Sequence, residues 1–323
     1  MTTASADRAG AGSADGYETV IDVSGLRMRY GTFEAVRGID LRVRRGEVFA
    51  FLGPNGAGKT TTVEILEGYR LRTGGTVTVL GRDPRHAGPS WRARIGVVLQ
   101  ESEPERDLTA AECLKLYAGY YPAPRGVGET LELVGLTDKA DVMASRLSGG
   151  QRRRLDVALA LIGDPELLFL DEPTTGFDPS ARRAAWEMIG GLRALGVTVV
   201  LTTHYMDAAE QLADRVAVIA DGQIVAEGTP ATLAGRQHAV KEIRFTLPPG
   251  STADELPEPV RSALADKDGD RMLVRASSIV PVLGPLIRWA EANGCDLADL
   301  DVRRPSLEDI YLSLTEPKTE GSR

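Results

Sequence analysis

Cysteine, histidine and long apolar runs are all scarce in this chain of 323 residues. The two cysteines, Cys113 and Cys295, stand far apart and in no metal-type spacing. They read as reduced thiols of a cytosolic protein, not as a disulfide framework. The three histidines, His86, His204 and His238, form no H-x-x-x-H pair, so no metal site built from protein ligands alone is expected. No uncharged apolar stretch approaches the roughly 18–20 residues of a membrane span. Excess positive charge is missing too: 38 Lys and Arg face 46 Asp and Glu, a net −8, which disfavours a grip on nucleic acid or anionic lipid. The first sixteen residues, MTTASADRAGAGSADG, have no apolar core and read as a disordered lead-in, not a secretory signal. No internal repeat of solenoid length is visible. What is left is an ordinary globular composition, 42% hydrophobic and 26% charged, at a length suited to one large domain and a smaller one.

Alternating apolar residues over 20–29 and 39–44 predict half-buried strands, and the nearly continuous run GEVFAFLG predicts one covered on both faces. A helix is expected after it from Thr60, then strands over 74–81 and 94–100. Helical periodicity dominates about 101–165 and marks a helical insertion. Strand patterns return in ELLFLDEP, GVTVVLTTH and RVAVIADGQIVAEG, the last broken by an Asp221-Gly222 hairpin turn. Between the first two lies a helix opening near Ser180 and closing at Gly196. Beyond about Gly235 the composition shifts: strands over 240–247, 270–276 and 295–303, a helix over 278–294 and a last helix after Pro305-Ser306 predict a small α+β domain.

Three runs carry chemistry. Gly53-Pro54-Asn55-Gly56-Ala57-Gly58-Lys59-Thr60 matches G-x-x-x-x-G-K-[ST], between a strand and a helix. Glycines let backbone N–H groups turn onto a polyphosphate, and the helix N-terminus favours the anion. Lys59 can reach the β- and γ-phosphates, the Thr60 hydroxyl can ligate Mg²⁺, and Thr61 follows on the same helical turn. The second run, Leu167 to Glu172, is an apolar strand delivering two carboxylates at its end. Asp171 there would hold Mg²⁺ through water, and Glu172 would orient the attacking water. Apolar-then-acidic strand ends are common by themselves; the phosphate loop gives this one its meaning. Third, Leu147-Ser148-Gly149-Gly150-Gln151 caps a helix N-terminus and forms a second anion-binding turn. The three arginines after it, Arg152, Arg153 and Arg154, read as a solvated helix face.

This LSGGQ run between a phosphate loop and an acidic strand resembles the nucleotide-binding subunit of an ABC transporter. The resemblance covers about 17–230 and implies a P-loop NTPase ABC cassette of α/β class, with a mixed sheet core and a helical insertion, over 17–238. The small α+β accessory domain would occupy 239–316 and a tail 317–323. It implies further roles: Tyr30 stacks on adenine, Gln100 senses Mg²⁺ and the γ-phosphate, Asp178 in GFDP lies at the dimer contact, and His204 is the γ-phosphate switch. Phe177 departs from the leucine usual in that loop. The family's subunits dimerise head to tail, so that Ser148, Gly149, Gly150 and Gln151 of one chain close on ATP held by Lys59 of the other. The ending RPSLEDIYLSLTE is similar to that of daunorubicin-type drug-resistance exporters. That branch implies ATP and Mg²⁺ as cofactors, and a separate permease of about six spans contacted through the region around 104–145. The chain would lie on the cytoplasmic membrane face without nucleic acid, driving efflux of a drug or other hydrophobic compound. Two rivals stand beside it: a soluble ABC ATPase acting on DNA or ribosomes, and an ATP-binding regulator that does not hydrolyse. The single cassette and short helical insertion count against the first, Glu172 and His204 against the second.

Overall fold

Strands rich in Val, Leu and Phe with no polar alternation must be covered on both faces, and three such strands form the centre of this protein. In the computed structural model, which describes residues 17–100, 104–175, 177–297 and 299–315, every residue of Val48–Leu52 and Thr198–Thr203 is buried, as are the first four of Leu167–Asp171. The expected lead-in (1–16) and tail (317–323), with 101–103 of the helical insertion, lie outside the described residues.

In chain order the elements of the first part are β1 Thr19–Tyr30, β2 Phe33–Arg44, β3 Val48–Leu52, α1 Lys59–Leu66, β4 Gly74–Val79, α2 Pro89–Arg92, β5 Ile95–Val98, α3 Ala110–Ala118, α4 Val127–Leu133, α5 Gly149–Leu161, β6 Leu167–Asp171, α6 Pro179–Ala194, β7 Thr198–Thr203, α7 Met206–Leu212, β8 Arg215–Ala220 and β9 Gln223–Gly228. Strands β2-β1-β4 make an antiparallel sheet. A second sheet has the order β5-β6-β7-β3-β8-β9, parallel except for the β8–β9 hairpin. Phe49, Phe51, Phe169, Leu26 and Ile39 pack in the core between them. The strand order sets the position of the site. β7 lies between β6 and β3, so the ends of all three strands and the turn into α1 share one rim, the crevice where open α/β sheets bind ligands.

The chain divides into two compact units between Pro230 and Ala231, eight residues before the boundary at 238 that the resemblance implies. A turn of 3₁₀ helix over Leu233–His238 belongs to the second unit, where Arg236 Nε donates to the carbonyl of Pro305 at 2.7 Å. That unit comprises β10 Lys241–Thr246, α8 Glu258–Arg261, β11 Leu264–Asp268, β12 Arg271–Ala276, α9 Val280–Ala292, β13 Asp301–Arg303 and α10 Leu307–Thr315, with an antiparallel sheet ordered β11-β12-β10-β13. Ile243, Phe245, Val274 and Leu286 fill its core.

Two differences from the strands expected by periodicity have local causes. The run 295–303 is a strand only over Asp301–Arg303; just before it, the Asp299 carboxylate accepts the Thr246 amide at 3.0 Å and ends the ladder there. β11 is an additional strand that periodicity does not predict. It lies at a sheet edge with its last four residues all exposed, so no apolar alternation marks it.

Candidate active site

Between β3 and α1 the loop from Gly53 to Gly58 is pressed from two sides. A Cβ on Gly53 would lie 2.4 Å from the Ile219 carbonyl of β8, and one on Gly58 2.5 Å from the Ala35 carbonyl of β2. Gly58 also holds φ +103 and Gly56 φ +82, a region that favours glycine. The hairpin turn at Gly222 donates its N–H to Ala57 O at 3.1 Å and fastens the loop from behind. No side chain caps the start of α1. The first-turn amides of Lys59, Thr60 and Thr61 therefore have no intrahelical acceptor and suit an anion.

Lys59 is 5% exposed. Its Nζ donates to the carbonyls of Gly53 at 2.7 Å and Pro54 at 3.2 Å, inside the loop it would share with phosphates. Burial lowers its pKa, opposed by the nearby carboxylates of Glu172 and Asp171.

At the end of β6, Asp171 sits opposite Thr202 of β7. The Thr202 hydroxyl donates to Asp171 Oδ1 and accepts the Glu172 amide at 3.2 Å. Glu172 has φ 47, left-handed for a non-glycine residue, and is only 8% exposed. Its Oε2 lies 2.8 Å from His204 Nδ1 and accepts from the Thr175 hydroxyl at 3.2 Å. With Nδ1–H on the carboxylate, His204 keeps Nε2 for a second partner.

Tyr30, Asn55, Gly56, Gly58, Lys59, Thr60, Thr61, Gln100, Glu172 and His204 thus line one cavity of about 380 Å³. Gly53, Pro54 and Ala57 are not among its lining residues and build the loop behind it. The Tyr30 ring is 41% exposed at its mouth, with the Arg70 guanidinium 5.3 Å from its centroid. Ser148, Gly149, Gly150, Gln151 and Asp178 are not brought there. They line a second cavity of about 1180 Å³, which shares Gln100 and Glu172 with the first. In it Ser148 and Gln151 form a capping box at the start of α5, and Asp178 Oδ1 accepts the amides of Ser180 and Ala181 at the start of α6. The donors available to a cation, the Thr60 hydroxyl, the Gln100 amide and the Asp171 carboxylate, are all oxygens, which fits a Mg²⁺ held mainly by phosphates and water.

The chain is 37% identical to the Nod factor export ATP-binding protein I of Ralstonia nicotianae over 316 residues, covering 94% of this chain and 96% of that one. It is 38% identical to the daunorubicin resistance ATP-binding protein DrrA2 of Streptomyces coeruleorubidus, covering 95% and 98%. The chain belongs to the ATP-binding cassettes of ABC transporters. The family model described as ABC transporter matches residues 36–175, and one for the C-terminal domain of ABC transporter domain-containing proteins matches 241–306. Among solved structures, an ABC transporter cassette in its ADP conformation superposes with TM-score 0.59 at 26% identity, covering 65% of this chain and 91% of that one. A cbiO1 protein from Clostridium perfringens, part of an ABC transporter complex, gives TM-score 0.60 at 26% identity over 66% and 89%. The cassette is an ATPase coupled to transport.

Several residues of the site were not legible in the sequence. Thr202 looks like any strand threonine; only the register places its hydroxyl between the two acids. Arg152, Arg153 and Arg154 are not a solvated face: each donates to backbone carbonyls, of Leu147, Asp171 and Gly135 among others. Glu67, next after α1, has its pKa raised to about 8, chiefly by burial and then by the charges of Asp171 and Glu64.

Lys59→Ala is expected to weaken ATP binding by about 10- to 100-fold, the worth of a charge-assisted contact to phosphate; unchanged affinity by calorimetry would overturn the loop assignment. The Glu67 carboxyl, raised from 4.5 to about 8, keeps a proton that the unfolded chain releases. Stability should therefore fall as pH rises through that window, with the full penalty present above about pH 8. Glu67→Gln should stabilise the cassette at about pH 9 by on the order of a few kcal/mol and little at about pH 4. Equal effects at both pH values in urea titrations would contradict this.

Proposed function

We propose that this cassette is the ATP-hydrolysing subunit of an exporter, working as a head-to-tail homodimer on the cytoplasmic face of the membrane with a separate integral permease. The observation that carries the reading is the Glu172 carboxylate, paired with His204 at 2.8 Å and lining both cavities. One cavity has the phosphate loop; the other has the Ser148–Gln151 turn and its helix N-terminus. A nucleotide bound on Lys59 offers its γ-phosphate to Glu172 from the first. A second copy of the chain would close on that phosphate with its own Ser148 turn, completing two composite sites.

In each site the amides at the start of α1 and the Lys59 ammonium bind the polyphosphate, and Tyr30 takes the adenine face. Bound Mg²⁺, held through Thr60, Gln100 and water on Asp171, would supply charge neutralisation on the β- and γ-phosphates. Glu172 accepts the hydrogen bond of the attacking water and orients it in line. His204 holds Glu172 through Nδ1 and presents Nε2 toward the γ-phosphate. Hydrolysis releases the two chains, and the cycle of closing and opening drives the permease.

Among the described residues no helix is long and apolar enough to cross a membrane, so in this reading the pathway is the permease's. Relatives named for Nod factor export and for daunorubicin resistance match at 37% and 38% identity. Likeness in the cassette thus does not track the cargo, which favours cargo selection in the permease. The direction, export of a drug or other hydrophobic compound, rests on those relatives.

Tagged protein drawn from its host's membranes in mild detergent should bring down a polytopic protein of about six spans in stoichiometric amount. Recovery from the soluble fraction with ribosomal or DNA-repair proteins would move the ATPase to a different class of work.

A further inference from the structure

A guanidinium ringed by carbonyl oxygens acts as a bracket: it fixes the peptide planes that accept from it. Arg153, in the second turn of α5, is such a group. Its side chain is 11% exposed. It donates from Nη2 to the carbonyl of Asp171 at 2.7 Å and from Nε to that of Pro173 at 3.4 Å. From Nη1 it donates to the carbonyls of Leu99 and, at 3.5 Å, of Gln100. Asp156, one turn along the same helix, lies 4.0 Å away. The first two acceptors are carbonyls of the residues on either side of Glu172, and the last two belong to the segment that carries Gln100. One side chain thus ties the helix that begins at Ser148 to the backbone of both residues that flank Glu172.

That turn needs holding. Glu172 sits at φ 47, a conformation that costs a non-glycine residue energy and persists only where its surroundings enforce it. The contacts of Thr202 with Asp171 and the Glu172 amide enforce it from the β7 side. On the α5 side Arg153 reaches the Asp171–Glu172 peptide through the Asp171 carbonyl and the next residue of the turn through the Pro173 carbonyl.

We infer that Arg153 is a positioning residue for ATP hydrolysis, holding the Asp171–Pro173 turn so that the Glu172 carboxylate faces the γ-phosphate and tying that turn to the position of the Ser148 helix. The inference rests on the reading of Glu172 as the residue that orients water. Arg153 does not line the cavity that holds the phosphate loop, so its loss acts on turnover and not on affinity. When the Ser148 turn of a closing dimer shifts α5, the same bracket carries the shift to the catalytic turn.

Single-turnover and steady-state ATP hydrolysis should be measured for R153M, R153K, E172Q and R153M/E172Q. R153M should lower kcat by about 10- to 100-fold while KM for ATP moves less than about threefold. R153K, which keeps the charge but not the fork of donors, should recover part of that loss. In the E172Q background R153M should cost less than about twofold more, because both changes act through the same carboxylate. A kcat for R153M within about twofold of the parent, losses that multiply in the double variant, or a change carried by KM would each overturn the inference. If R153M does not fold, R153K carries the test, with kcat falling at constant KM. Parental hydrolysis by E172Q would overturn the Glu172 assignment and the inference with it; an inactive E172Q beside a fully active R153M overturns the inference alone.

Discussion

The parallel register of β6, β7 and β3 is the constraint on which the site depends. Asp171 stands opposite Thr202, and Leu52 opposite Thr203, so the three strands finish at one level. From that level the chain leaves β3 into the phosphate loop, β6 into Glu172 and β7 into His204. Each residue is placed by where its strand stops, and the strands stop together because their buried faces interlock in one core. A one-residue slip of β7 would turn Thr202 away from the acids and carry His204 off Glu172.

Charge in the site depends on the groups around it. Lys59 is buried, which disfavours its cationic form, and the charges of Glu172 and Asp171 oppose that effect. The same carboxylate at Asp171 acts on Glu67 in the opposite sense and adds to the burial that keeps it protonated. One fixed charge thus supports a cation on one side and suppresses an anion on the other.

Most of the site could be read from the sequence because its residues obey local rules. The phosphate loop needs its glycines where carbonyls of two sheets crowd it; the acids end an apolar strand; Ser148 and Gln151 sit at cap positions. What could not be read depends on distance in space. Arg153 is one of three successive arginines, and nothing in that string says that one of them threads to Asp171 and Pro173. Thr202 acquires its partners through pairing of β6 with β7. In the second unit β11 escapes notice because an exposed edge strand has no apolar face to betray it, and the segment before β13 looks strand-like until Asp299 ends the ladder.

The phosphate loop touches both sheets, with Gly53 against Ile219 and Gly58 against Ala35, and the Gly222 turn closes its back. A segment wedged in this way has little freedom to change shape. In the proposed role little conformational entropy would remain to be lost when a nucleotide arrives, so the free energy of contact would be retained as affinity and not spent on ordering. The same wedging leaves mutation almost no latitude there, since a side chain at Gly53 would have to displace the Ile219 carbonyl and one at Gly58 the Ala35 carbonyl.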